Sequence, residues 1–154
     1  MKLLARNLIL VFLILMVIAT VWRVSTTNSE PLAPTITGCF VNFNDSNKYV
    51  LEISELKGEN FKAFVAYYNN GFDSSSGTYE GKFRNSILDG IYSFTAEGTD
   101  NKRELVFKYI EGDFRAGFGE YVNVDGVERL TSRKSVKWFK NYTYSPSRDC
   151  GPPR

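Results

Sequence analysis

From Gly38 onward, apolar and polar residues alternate in short runs. In "KYVLEIS", Tyr49, Leu51 and Ile53 share one face while Glu52 and Ser54 share the other. "FKAFVAYY" aligns Phe61, Ala63, Val65 and Tyr67, although Phe64 and Tyr68 make its opposite face partly apolar. "TYEGKFR" sets Tyr79, Gly81 and Phe83 against Glu80, Lys82 and Arg84, and "IYSFTAE" sets Tyr92, Phe94 and Ala96 against Ser93, Thr95 and Glu97. "ELVFKYI" places Leu105, Phe107 and Tyr109 together, and "FRAGFGEYVNV" and "VKWFKNY" continue the pattern less cleanly. Period-two alternation rich in aromatic and β-branched residues is the signature of strands. Between the runs stand turn-formers: "NDSN" at 44–47, "KGEN" at 57–60, "NNGFDSSSG" at 69–77, "NSILDG" at 85–90, "GTDN" at 98–101, "EGD" at 111–113 and Asp125-Gly126.

No segment between these turns has helical periodicity, so the pattern predicts an all-β antiparallel meander of about eight strands. One apolar face per strand requires the sheet to close or fold over itself, as a small barrel or half-barrel, lipocalin-like in outline. The inward set is rich in aromatics: Tyr49, Phe61, Tyr67, Tyr79, Phe83, Tyr92, Phe94, Phe107, Tyr109, Phe114 and Phe118. Core packing is the first explanation of that set, and a cavity for an apolar ligand is the second.

The first 37 residues follow a different pattern. Lys2 and Arg6 precede an unbroken apolar run from Leu8 to Trp22. Taken as a helix from Leu3 to Val24, it would extend roughly 33 Å, enough to cross a bilayer. Ala19-Thr20-Val21 lacks a small residue at its last position, so an uncleaved anchor over 1–24 is expected, with a cleaved signal peptide as the alternative. Residues 25–37, "STTNSEPLAPTIT", read as a Ser/Thr/Pro linker, leaving 38–154 as an exported domain.

Charge is divided unevenly. Residues 38–128 hold nine Lys/Arg against fifteen Asp/Glu, whereas 129–154 hold seven basic residues against Asp149 alone. Either the basic segment packs beside the acidic body, or Arg133, Lys134, Lys137 and Lys140 face an anionic surface. An exported location leaves no role for nucleic acid. The chain has no His, the commonest acid–base and metal-ligating side chain. No nucleophile elbow, phosphate loop or cation-binding loop is present, so neither a cofactor nor a metal is expected.

Ile36-Thr37-Gly38-Cys39 has the outline of a lipobox, but sixteen residues separate Trp22 from Cys39. The signal is therefore too far from the end of the apolar run. Cys39 opens the first strand and Cys150 follows the last, and an oxidising compartment would join them.

"GTYEGKF", "LDGIYSFTAEGTDNKRELVFK" and "GFGE" resemble a group of small exported bacterial proteins, many of them lipoproteins, over about residues 77–120. The matching residues are Gly77, Thr78, Gly81, Tyr92, Phe94, Glu97, Gly98, Arg103, Glu104, Phe107, Gly117, Phe118, Gly119 and Glu120. The resemblance implies an exported β-domain of the cell envelope and no assigned activity. Within this stretch Glu97 and Arg103 flank one turn, where an ion pair closing the hairpin is the plain reading. Together with Arg115 and Glu120 they are also candidates for binding a small polar or anionic ligand at a barrel mouth. A glycan-acting hydrolase using Glu97 and Glu120 is the least favoured option, because no third polar partner or spacing motif supports it. The expectation is a membrane-tethered, non-catalytic binding or interaction module. Its partner would be an envelope protein, a polymer or a small ligand, and an accessory envelope protein without a ligand is the alternative.

Overall fold

The computed structural model describes residues 36–71, 73–96 and 98–153. The alternating runs form β1 (Gly38–Asn44), β2 (Asn47–Lys57), β3 (Asn60–Tyr68), β4 (Ser75–Arg84), β5 (Ile87–Ala96), β6 (Thr99–Ile110), β7 (Asp113–Phe118), β8 (Tyr121–Val124), β9 (Val127–Leu130) and β10 (Lys137–Ser147). A 3-10 turn, Arg133–Ser135, precedes β10. β1 to β7 follow one another as antiparallel neighbours, β10 pairs with both β7 and β1, and β5 pairs with β6. Eight strands thus close into an antiparallel barrel without a free edge. β8 and β9 form an added hairpin, and β9 meets β6 in parallel at Arg103 and Glu128.

Several expected separators are shorter than the sequence suggested. The "NSILDG" turn is Asn85-Ser86 alone, and Ile87 to Gly90 belong to β5. Both turn residues have positive φ, as do Glu111-Gly112 and Asp125-Gly126, the backbone that two-residue hairpins require. Polar and glycine residues such as Asp89 and Gly90 are strand residues here because the barrel uses them. Gly81 and Gly90 face one another across β4 and β5. A Cβ on Gly81 would lie 2.1 Å from the Asp89 carbonyl oxygen, and one on Gly90 would lie 2.3 Å from that of Glu80. The Tyr79 ring passes over Gly90, and its hydroxyl donates to the Leu105 carbonyl at 2.9 Å on β6. The two glycines therefore let neighbouring backbones approach and let one aromatic side chain bridge three strands.

One end of the barrel is filled. The β2–β3, β4–β5 and β6–β7 turns gather there, joined by Phe83 N–H to Glu59 carbonyl and Tyr109 N–H to Ser86 carbonyl bonds of 2.7 Å. Behind them Phe61, Leu88 and Phe114 are fully buried, with Leu56, Phe83 and Tyr109 packed against them. Ile36, assigned to the linker by sequence, is also fully buried in this core, so the domain begins two residues earlier than expected. Phe40–Phe114 and Phe107–Tyr144 meet edge to face, with centroids 4.8 and 5.3 Å apart. Such pairs add about 0.5–1.5 kcal/mol each beyond burial. Phe118, the last of the expected inward set, lies at the open end, 38% exposed and in contact with Phe139 and Tyr142.

A second apolar cluster lies outside the barrel. Val41, Val50 and Ala66 are buried there, with Phe64, Tyr68 and the two cysteines around them. The segment after β10 covers this face, and Cys39 and Cys150 are joined as a disulfide, as expected. Lys48, itself buried, donates from Nζ to the Gly151 carbonyl at 2.7 Å and pairs with Asp149 at 3.4 Å. Among the described residues no helix is long and apolar enough to cross a membrane. The expected membrane segment 1–24 and linker residues 25–35 lie outside the described residues.

Two outcomes follow. Replacing Cys39 and Cys150 by Ser opens a loop of 111 residues and is expected to cost about 4–5 kcal/mol, read as a lower denaturant midpoint. Gly81→Ala is expected to cost about 3 kcal/mol or more, because the obstructing atoms are backbone. An unchanged midpoint in that variant would show that β4 can move away from β5.

Candidate functional site

The other end of the barrel is open. A cavity of about 400 Å³ lies inside it, toward the small end of ligand pockets, which span about 300–1,000 Å³. Tyr49 and Tyr67 reach it from β2 and β3, Tyr92 and Phe94 from β5, and Phe107 from β6. Tyr121 of β8 and Tyr142 and Tyr144 of β10 complete an aromatic wall, with Asn69 and Ser75 at its edge. Period-two register explains the contributions of β2, β3, β5, β6 and β10, where each of these aromatics shares parity with, or is itself, a core residue of its own strand. Tyr92 and Phe94 are stacked, centroids 4.5 Å apart, and Tyr67 meets Tyr49 at 5.5 Å and Tyr92 at 5.9 Å.

β10 is irregular just before Tyr142. Trp138 pairs with Gly117 and Thr143 with Arg115, so four residues of β10 oppose Ala116 alone. Tyr142, in step with buried Tyr144, lines the cavity at the end of this bulge, and Phe139 within it is exposed. Buried Asn42 of β1 holds the bulge by donating from Nδ2 to the Asn141 and Thr143 carbonyls at 3.0 and 2.7 Å.

Among the described residues lining the cavity, Arg103 carries the only charge. Its Nε donates to Glu128 Oε2, and its guanidinium lies 5.4 Å from the Tyr121 ring centroid. Burial raises the phenol pKa of Tyr67, Tyr92, Tyr121 and Tyr144, while the Arg103 charge pulls the first three the other way. The wall is thus a set of neutral phenols with one cation at the rim.

The candidates from the sequence do not converge. Glu97 lies outside the described residues. Arg115 alternates with buried Phe114 and Ala116, so it faces outward, where its Nε donates to Thr143 Oγ1 at 3.4 Å. Glu120 is exposed between β7 and β8 and does not line the cavity. Of the three described candidates, only Arg103 lines the cavity. The chain matches no protein family, no curated protein and no solved structure with which it was compared.

Beside the mouth, a charged cluster fastens the added hairpin to the barrel. Arg133 donates to both carboxylate oxygens of Asp89, at 2.8 and 2.7 Å, and to Glu104. Buried Glu104 also accepts the Leu130 N–H at 2.8 Å and lies 3.9 Å from Arg129. Arg133, although exposed, is thereby engaged within the fold; Lys134, Lys137 and Lys140 are exposed as well. Burial alone would raise the Glu104 pKa, but the bonds from Arg133 and Leu130 and the two arginine charges hold it below the ordinary carboxylate value.

A carboxylate depressed in this way contributes stability that is fully present above its unfolded pKa of about 4.3 and lost as pH falls through its folded pKa. Glu104→Gln is therefore expected to lower stability by about 1–3 kcal/mol at neutral pH. The gap should narrow toward about pH 3, where Glu104 itself becomes protonated. Denaturant titrations of both proteins across that range provide the measurement, and a gap independent of pH would remove the ion pair from the account.

Proposed function

We propose that the chain is a membrane-tethered, exported and non-catalytic module that binds a small ligand through the mouth of its barrel. One observation carries this reading: the interior is packed at one end and left as an aromatic-walled cavity of about 400 Å³ at the other. Unpacked apolar volume forfeits dispersion contacts, and a ligand restores them. The N-terminal apolar run supports the tether, and the resemblance over 77–120 supports an envelope location. Tyr92, Phe94, Arg103, Phe107, Gly117 and Phe118, which share in that resemblance, all line the cavity.

A second reading draws on the exposed lysines. Lys134, Lys137 and Lys140 would place an accessory protein against an anionic envelope surface without any ligand. Photo-crosslinking on the full chain in lipid nanodiscs separates the two. An apolar aryl-diazirine is expected to label cavity residues such as Tyr67 and Tyr92, and Ser75→Trp, which fills the rim, is expected to suppress that labelling. Label found only on outer residues such as Phe139 would leave the accessory reading in place.

A further inference from the structure

We propose that the ligand is a small amphipathic monoanion, its carboxylate or similar oxyanion held by Arg103 at the rim and its apolar body against the aromatic wall. This rests on the binding reading above and adds the chemical class. Arg103 is the inward residue of β6 at the mouth, in register with Tyr92 on β5. Two contacts hold its guanidinium. Glu128 accepts from Nε, and Tyr121 lies against its face. The two terminal NH2 groups make no hydrogen bond to any other described residue. They are a pre-oriented fork of donors, matched to a planar oxyanion.

The remainder of the site argues for one charge on an apolar frame. The other described lining residues are uncharged and mostly aromatic, and no described carboxylate lines the cavity. A purely apolar ligand would cover the free NH2 groups without bonding them, which costs free energy. A dianion would bring a second charge with no partner. A single oxyanion satisfies the fork, and it does so at a rim where Arg103 is 44% exposed, so the head remains partly hydrated while the body is buried. Glu128 plays two parts. It positions the guanidinium, and it competes for the charge that the ligand needs.

That double part gives a test that separates ligand binding from mere fastening of the hairpin. The probes are an aryl-diazirine benzoate and its uncharged benzamide, matched in size, titrated on the full chain in nanodiscs of neutral lipid. Crosslinks are mapped by mass spectrometry. The benzoate is expected to label the cavity at concentrations about tenfold to a hundredfold lower than the benzamide, the factor a charge-assisted pair supplies. Arg103→Gln should abolish that preference. Glu128→Gln, which keeps the arginine and removes its competitor, should strengthen benzoate labelling by up to about fivefold. If both variants weaken labelling alike, Arg103 serves only to hold β9 and the anion assignment is overturned. Equal labelling by both probes, unchanged in Arg103→Gln, overturns it as well while leaving the binding module intact. Absence of cavity labelling by either probe overturns the binding reading itself.

Discussion

The space inside an eight-stranded barrel governs everything else in this domain. Such a barrel is just wide enough for side chains to fill, so each layer is either packed or open according to the residues that point inward. Here closure depends on β5 lying against β6, and β4 reaches that position only because Gly81 and Gly90 leave no Cβ between the backbones. The same absence lets Tyr79 cross to the Leu105 carbonyl, tying β4, β5 and β6 together in mid-barrel. Below that crossing, Phe61, Leu88, Phe114 and Ile36 fill the barrel. Above it, large rings stand along the wall, and their contacts with one another leave the centre empty.

Much of this arrangement is legible in the alternation. Tyr49, Tyr67 and Tyr92 share parity with Leu51, Val65 and Leu88, so an inward aromatic set follows from period two alone. Whether those rings pack or line a cavity does not follow, because that depends on layer height in the closed barrel, which no local pattern records. Phe64 and Tyr68 looked like imperfections of the β3 pattern. They are the outer face that the C-terminal segment covers, and the disulfide fixes that cover in place. Arg115 was legible as outward from its buried neighbours, and grouping it with Arg103 gave proximity in sequence more weight than parity. Tyr142 is in step with buried Tyr144, but the three-residue excess just before it in β10 breaks the alternation of the rest of that strand.

The hairpin of β8 and β9 shows why the charged residues divided as they did. β7 is six residues long and pairs with β6 only over Phe107 to Ile110, leaving the edge of β6 nearer the mouth without a neighbour. β9 takes that edge through one bridge, Arg103 with Glu128. A single bridge is weak, and the side chains supply what the ladder lacks. Glu104, facing outward beside Arg103, accepts the Leu130 N–H and draws in Arg133, which in turn grips Asp89 of β5. The basic C-terminal stretch therefore does meet the acidic body, at Arg129 and Arg133, while its lysines remain exposed.

Arg103 and Glu104 are adjacent residues given opposite tasks by strand parity. Glu104 points outward under the hairpin, where its acceptor capacity is used by Arg133 and Leu130 within the fold. Arg103 points inward at the mouth, where described residues use one donor and one face and leave the terminal donors unbonded. Holding the hairpin needs only the first of these, because the Glu104 cluster is the more deeply buried and the more fully bonded. An arginine kept solely to pair with an exposed carboxylate would contribute roughly 0–1 kcal/mol, which is little reason to place a charge in a wall of neutral rings. The residue makes better physical sense as the polar fixed point of a site whose remaining walls are apolar, oriented beforehand by Glu128 and Tyr121 so that little freedom is lost when an anion arrives.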